Sequence, residues 1–192
     1  MVDLSLLQSV SYIAGALGVC VAAVYYVMNL RVQQENSKEV ARNRKIAYTT
    51  DIMKQFCSKE TTRRWGDLNR MQWGSLEDFR AKYDSRVNTE NWADRTSFMG
   101  SLDVLGYQYR MGLIDLETMY ELIWTQVIMT WIKFKPIIDM YRKSDWGTDQ
   151  FANFEYLARE LWKLKAVRDP TYMEHSGGGF RPEEYELAFG KV

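Results

Sequence analysis

The sequence predicts an all-α protein: one N-terminal transmembrane helix that continues into a stalk, then a cytoplasmic bundle of about five helices. Three observations predict this class. Residues 4–30 contain no Asp, Glu, Lys or Arg. After residue 45, apolar residues recur at helical spacing over most of the chain. No stretch alternates apolar and polar residues with a period of two between turn pairs, as strands would.

The first predicted element, residues 4–30, is long enough to cross a bilayer. A helix rises about 1.5 Å per residue, so roughly 20 apolar residues span a hydrocarbon core of about 30 Å. Two alternatives stay open. A cleaved signal peptide normally begins with a positive region, whereas Asp3 is the only charge before this run. A buried helix of a soluble protein rarely runs this far without a charge.

The charges that flank this segment predict its orientation. Lys and Arg are lacking before it, and residues 31–45 then carry Arg31, Lys38, Arg42, Arg44 and Lys45. Cytoplasmic flanks carry the excess of Lys and Arg. We therefore expect a single-pass protein of the cell membrane, with residues 1–3 outside and the domain that follows in the cytoplasm.

Residues 31–45 are predicted to form a basic juxtamembrane stalk, because they are polar on nearly every side and contain no Gly or Pro. The five cations could contact anionic lipid headgroups, each contributing about 1 kcal/mol close to the surface. The alternative is the ordinary positive flank of a membrane helix. In either case the lipid bilayer is an expected partner.

A row of small residues lies along the predicted membrane helix. Ala14, Gly18 and Ala22 are spaced by four, and small residues at this spacing let another helix pack closely. The functional interpretation is a seam for a second copy of the chain or for another membrane protein. The alternative is chance, since Ala and Gly are common in membrane helices.

Residues 46–168 are predicted to form the helical domain. A first helix from Ile46 ends near Ser58, and a short one covers residues 61–69. Ser75 is expected to cap a third short helix, and Asn88 or Thr89 begins a fourth. Seven Trp and an aromatic content of 14% favour a well-packed helical body.

The second half of this domain contains the predicted central helix. Gly112 is expected to end the fourth helix in a left-handed conformation, and Asp115 to cap a strongly apolar fifth helix. The uncharged part of that helix, residues 122–132, is too short to be a second span. Pro136 is expected to kink or break it, and Thr148 to cap the last long helix.

Residues 169–192 are predicted to be a flexible C-terminal tail, in which residues 182–189 could form one short helix. His175, the single histidine, lies in this tail beside residues 177–179, which are glycines. We expect no general base there, because no partner is visible. The glycines lack the Lys-Ser/Thr that follows a phosphate loop.

Composition excludes several classes of function. The net charge is zero, which predicts no binding to nucleic acid. Cys20 and Cys57 lie in different predicted compartments, so a disulfide between them is not expected. No spacing of His, Cys, Asp and Glu resembles a metal site, and no motif predicts a cofactor or a catalytic nucleophile.

One acidic residue lies among apolar ones. Asp103 is surrounded in sequence by Leu102, Val104 and Leu105, so an ionised carboxylate there would need a partner. Candidate partners are Arg110, two turns further along the same helix, and Lys133 or Arg142 on facing helices. We expect a buried polar pair of Asp103 and Arg110 that fixes helix register. The functional alternative is a polar pocket in the bundle, which would make the protein a small-ligand sensor or an enzyme.

Three stretches resemble a known family. They are LDVLGYQYRMGLID from residue 102, YELIWTQVIMTWIKFKPII from residue 120 and FEYLARELW from residue 154. Together with the anchor and the basic stalk, they are similar to an uncharacterised family whose members have one N-terminal membrane helix and a small cytoplasmic helical domain. The resemblance implies fold and topology. It implies no activity and no catalytic residues.

Two functional hypotheses follow from the sequence. The first is a membrane-anchored helical protein that acts by binding other proteins, as a homo-oligomer or as an accessory subunit of a membrane complex. The second is the sensor or enzyme with a polar pocket near Asp103. Protein binding is favoured because the anchor and its small-residue row are present and catalytic motifs are not found.

Overall fold

The computed structural model describes residues 4–144, 147–172 and 179–190. Over these ranges the chain forms seven helices and no strand, which confirms the predicted all-α class. The helices are α1 (Leu4–Phe56), α2 (Lys59–Arg70), α3 (Leu76–Tyr83), α4 (Thr89–Arg110), α5 (Leu116–Ser144), α6 (Ala152–Arg168) and α7 (Pro182–Phe189). They divide into two compact units, Met1–Ala47 and Tyr48–Val192.

In the first unit, every side chain from residue 11 to residue 47 is exposed. The part of α1 over Ser11–Phe56 is long and apolar enough to cross a membrane, and none of its most apolar window is buried. Length and composition are equally consistent with a membrane span and with a signal anchor. Among the described helices, this is the only one that meets the criterion.

The second unit is built around α5, as the sequence predicts. This helix buries Met119, Ile123, Val127, Trp131 and Phe134, together with eight further residues. Helices α4 and α6 pack against each other, and α6 also packs against α5, while α2 and α3 pack on α4 and α5. Burial of these apolar side chains is the main stabilising contribution to the unit.

Local sequence signals account for most of the helix ends. The Ser75 hydroxyl accepts from the Asp78 N–H at 3.2 Å, and the Asn88 side chain accepts from the Asn91 N–H at 3.0 Å. Gly112 has a φ of +68°, the left-handed region in which glycine has no Cβ penalty. The Asp115 carboxylate accepts from the Thr118 N–H at 2.9 Å.

Two expectations within residues 46–168 need correction. Of the kink or break expected at Pro136, the break is wrong, because Pro136 lies inside α5, which runs on to Ser144. Thr148 does not cap α6, which begins at Ala152 after Phe151 in the left-handed conformation (φ 59°). The side chain of Phe151 is buried, and packing of this ring is the compensation for a backbone conformation that costs about 1–2 kcal/mol.

Within the predicted C-terminal tail, residues 182–189 form the expected short helix, α7, but this helix is packed against the domain where a flexible segment was expected. Helix α7 packs on α5 and buries Tyr185 and Ala188. Tyr185 and Phe189 both stack on Trp162 of α6, with ring centroids 5.0 Å apart in each pair. Aromatic burial of this kind holds a short helix in place. His175 and most of the glycine run lie outside the described residues.

Candidate functional site

The first candidate is Asp103, which contacts the start of α6. One carboxylate oxygen accepts hydrogen bonds from the N–H groups of Asn153 and Phe154, both at 2.9 Å. The other oxygen accepts from the Asn153 side-chain amide at 3.2 Å. The first N–H groups of a helix have no partner within the helix, and negative charge is favourable there. Asp103 therefore caps α6 from a different helix.

The backbones of α4 and α6 meet at Gly106, one turn after Asp103. A Cβ on Gly106 would lie 2.1 Å from the carbonyl oxygen of Asn153, which is far inside van der Waals contact. Glycine is therefore required for this close approach. The Arg110 guanidinium donates to the Asn153 side-chain oxygen at 2.9 Å. Asp103, Gly106 and Arg110 thus form one seam on α4 that receives the first turn of α6.

This geometry differs from the expected buried pair of Asp103 and Arg110. Asp103 is half-buried, Arg110 is exposed, and the two side chains are joined through Asn153. Seven residues of helix span about 10 Å, so a bridging side chain suits this separation better than direct contact. Lys133 and Arg142, considered as partners from facing helices, bind other groups. The Asp103 carboxylate serves as a helix cap.

The second candidate is a groove of about 450 Å³ between α5, α7 and the segment after α2. Its apolar wall consists of Met71, Trp73, Ile132, Pro136, Phe180 and Leu187. Lys133, Lys135 and Glu184 also line it. Ligand grooves in proteins commonly have this volume and combine apolar walls with a few polar groups.

Lys133 is one of the residues that line this groove. Its ammonium donates to the carbonyls of Asn69 and Met71, at 2.6 and 2.8 Å, and lies 5.2 Å from the centre of the Trp73 ring. These carbonyls belong to the end of α2, so Lys133 satisfies a helix terminus. Burial lowers the pKa of Lys133, and the Glu184 carboxylate acts in the opposite direction.

The other two charged groups of the groove have partners of opposite charge. Lys135 pairs with Asp139 at 2.5 Å. The Glu184 carboxylate accepts from the Arg181 backbone N–H at 2.7 Å and lies 3.7 Å from the Arg181 guanidinium. The contacts of Lys133 with neutral carbonyls leave its charge without a paired carboxylate among the described residues.

A third polar feature is Arg95 of α4, which the sequence reasoning missed. Its side chain is fully buried and lies 4.6 Å above the Phe79 ring. It donates to the Tyr83 carbonyl and the Asn91 side chain, each at 3.3 Å, while its Nε–H has no partner among the described residues. Burial lowers the pKa of Arg95 to about 10, and the nearby Tyr141 and Asp84 oppose that shift. The contacts of Arg95 join α3 to α4.

The fourth candidate is an apolar face at the end of α4, made of Val104 and Tyr107 of the helix, of its C-cap Met111 and of Leu113 just beyond. Residues three and four apart share one side of a helix. These side chains are 56%, 53%, 59% and 44% exposed. Beside them, the Arg110 guanidinium lies 5.5 Å from the centre of the Tyr156 ring. The combination of exposed Tyr, Met and Arg is typical of protein-binding surfaces.

The residues singled out on α1 all lie on exposed helix. This holds for the small residues Ala14, Gly18 and Ala22 and for the cations Arg31, Lys38, Arg42, Arg44 and Lys45. Cys20 and Cys57 are free and exposed. Among the described residues, no group of three or more His, Cys, Asp or Glu side chains is placed to hold a metal ion.

Sequence patterns pointed to Asp103 but could not reveal its partners. Its hydrogen bonds go to backbone N–H groups about 50 positions later, and backbone groups carry no sequence signal. Gly106, three residues after Asp103 inside a predicted helix, was the available hint, because an interior glycine usually has a packing reason.

Comparison with known proteins adds one relationship. No curated protein and no solved structure matches the chain. The family described as "Domain of unknown function (DUF4760)" matches residues 12–162, which include α1 from residue 12 onward, the Asp103–Gly106–Arg110 seam and most of α6. The chain belongs to this family.

Proposed function

We propose that the chain is a single-pass membrane protein whose helical unit acts by binding another protein. The observation that carries this proposal is the exposed apolar face of Val104, Tyr107, Met111 and Leu113 at the end of α4. Contiguous apolar side chains on a rigid helix that remain in water are unfavourable unless a partner covers them.

The composition of the face supports protein binding over simple surface variation. Tyr and Arg are the residues that most often dominate binding energy at protein interfaces, and Met adapts to irregular partner surfaces. The face contains Tyr107 and Met111, and the guanidinium of the neighbouring Arg110 lies 5.5 Å from the centre of the Tyr156 ring. The seam of Asp103 and Gly106 holds α4 against α6, so the face is presented on a rigid element.

The proposed location is the cell membrane, with α1 as the anchor. The uncharged run over residues 4–30 and the exposure of residues 11–30 in α1 support a span, since apolar side chains with no protein around them would be covered by lipid. The cations that follow the run support an external N-terminus and a cytoplasmic domain from residue 31 onward.

Two kinds of partner fit this arrangement: a second copy of the chain and a different membrane protein for which the chain is an accessory subunit. The row of Ala14, Gly18 and Ala22 supports either, because small residues let a second membrane helix approach. The capping role of Asp103 gives no support to the alternative of a sensor or enzyme with its pocket at that residue.

The test is extraction in a mild detergent, followed by size-exclusion chromatography with light scattering and by mass spectrometry of co-purifying proteins. We expect a species heavier than one chain. Tyr107→Ser combined with Met111→Glu should lower its mass to that of one chain. Val167→Glu is the matched control, because Val167 is also exposed and apolar and lies about 20 Å along α6 from Asn153, where α6 meets α4. A monomeric wild-type chain with no associated protein would contradict the proposal.

A further inference from the structure

We propose that the groove between α5 and α7 is a binding site for an organic anion that carries one carboxylate or phosphate on an apolar body. This site is separate from the apolar face of α4, and the proposal does not depend on protein binding there. It is carried by the charge and the walls of the groove.

The charge argument starts from Lys133. An ammonium group has three N–H donors. Two of them bind the carbonyls of Asn69 and Met71, and no described residue accepts the third. Because both acceptors are neutral, the positive charge of Lys133 is not matched by a bound carboxylate. An anion in the groove would supply both the third acceptor and the missing charge.

The neighbouring charges leave this preference in place. Glu184 is held by the backbone N–H and the guanidinium of Arg181. Lys135 also lines the groove, but its charge is paired with that of Asp139. A second anionic group would meet Glu184 without a further unpaired cation, so we infer that the ligand carries a single anionic group.

The walls specify the rest of the ligand. The Trp73 ring packs against the rings of Phe79 and Phe134, with centroids 5.1 and 5.7 Å away. Opposite the residues of α5, Leu187 of α7 is 70% exposed although it lines the groove. An apolar body lying between Trp73 and Leu187 would remove both surfaces from water. A volume of about 450 Å³ holds a ligand of metabolite size.

The experiment uses the full-length chain in nanodiscs of phosphatidylcholine, which avoids detergent monomers that could enter the groove. Isothermal titration calorimetry is run with octanoate, octyl phosphate and uncharged octanamide, below the concentrations at which they aggregate. We expect one saturable site per chain for at least one of the anions. Octanamide should bind at least tenfold more weakly, which corresponds to about 1.4 kcal/mol. The tighter anion identifies a carboxylate or a phosphate source.

Variants locate the binding. Leu187→Glu places a negative charge at an exposed position and should weaken binding of the anion more than tenfold without unfolding the chain. Val167→Glu introduces the same charge on α6 and should bind as the wild type does. Lys133→Met removes the cation but also frees two carbonyls. The affinity of Lys133→Met for the anions is therefore compared with that of the wild type only if the two chains have similar unfolding midpoints.

Three results would overturn the proposal. They are equal affinity for octanamide and both anions, wild-type affinity in Leu187→Glu, and no saturable binding of either anion at millimolar concentration. The first would show an apolar crevice without charge selectivity. The second would place binding elsewhere on the chain, and the third would leave the groove without a ligand of this class.

Discussion

Gly106 of α4 and Asn153 of α6 lie so close that a Cβ at position 106 would be 2.1 Å from the Asn153 carbonyl oxygen. The contact involves backbone on both sides, so no side chain can turn away to relieve it. The same turn of α6 is capped by Asp103. Close approach and capping together set how α4 and α6 meet.

The first prediction is that Gly106→Ala destabilises the helical unit by about 1–3 kcal/mol or more, because the added methyl group forces α6 away from α4. Unfolding of the full chain in detergent, followed by Trp fluorescence, measures this loss, since all seven Trp lie after residue 47. Gly100→Ala is the control on the same helix, where a Cβ meets nothing within 4 Å. There we expect a gain of about 0.5–1 kcal/mol from helix propensity.

The second prediction concerns Asp103 as the cap of α6. Asp103→Ala should lower the free energy of unfolding by about 1–2 kcal/mol, because it leaves the N–H groups of Asn153 and Phe154 without their acceptor. Asp103→Asn keeps one oxygen acceptor and should cost less than the alanine variant. Asp94→Ala removes an exposed pair with Arg64 at 3.3 Å and should cost about 0–1 kcal/mol. Equal losses at positions 103 and 94 would contradict the capping role.

The sequence was most informative where structure depends on neighbouring residues. Ser75 and Asp115 were predicted as caps and act as caps, because a side chain there reaches an N–H group three residues ahead. Of the two residues predicted to begin α4, Asn88 is the cap and Thr89 is the first helical residue. Thr148 was predicted by the same rule and is wrong. The cap of α6 instead comes from Asp103 on another helix, which removes the need for a local one.

Long-range contacts explain the other differences. Arg95 is fully buried because it packs on the Phe79 ring and donates to the Tyr83 carbonyl, both of α3. No local sequence pattern indicates that α3 packs against this part of α4. The groove at Lys133 joins segments more than 60 positions apart, so its residues could not be grouped from the sequence. By contrast, the apolar face of α4 has helical spacing, but its exposure depends on which helices surround α4.

The third prediction concerns Arg95. Arg95→Ala should cost at least about 3 kcal/mol, because it leaves a cavity and frees the Tyr83 carbonyl and the Asn91 side chain. Arg95→Met should cost clearly less, since it fills much of the volume with no buried charge. Chemical unfolding compares both variants with Arg63→Ala, an exposed arginine whose removal should change stability by less than about 0.5 kcal/mol. An Arg95→Ala chain as stable as the wild type would contradict the burial of this side chain.

The fourth prediction is a pH dependence from Glu155 on α6. Partial burial acts to raise the pKa of Glu155, but hydrogen bonds from Arg142 at 2.7 Å and Arg159 at 2.9 Å outweigh it, so the pKa lies below the ordinary 4.5. Because the pKa of Glu155 is lower in the folded state than in the unfolded state, the ionised carboxylate stabilises the fold at pH values above the unfolded pKa. This stabilisation is lost as pH falls through the folded pKa.

Glu155→Gln should therefore lower stability by about 1–2 kcal/mol at pH 7 and differ little from the wild type at a pH below the folded pKa. Urea unfolding midpoints between pH 3 and pH 7 measure this convergence. Glu121→Gln, which removes an exposed partner of Arg168, should show a smaller loss at pH 7. A stability difference between Glu155→Gln and the wild type that stays constant from pH 3 to pH 7 would contradict an electrostatic origin.

The fifth prediction tests the proposed orientation through the two cysteines. In a Cys20→Ala chain, the only thiol is Cys57, which is exposed and follows the basic flank. If residues 31–192 face the cytoplasm, a membrane-impermeant maleimide should label Cys57 in sealed inside-out vesicles and leave it unlabelled in sealed right-side-out vesicles. A Val2→Cys chain that lacks both native cysteines should give the opposite pattern. Labelling of Cys57 only in right-side-out vesicles would reverse the orientation, and loss of the first segment from the mature chain would identify a cleaved signal.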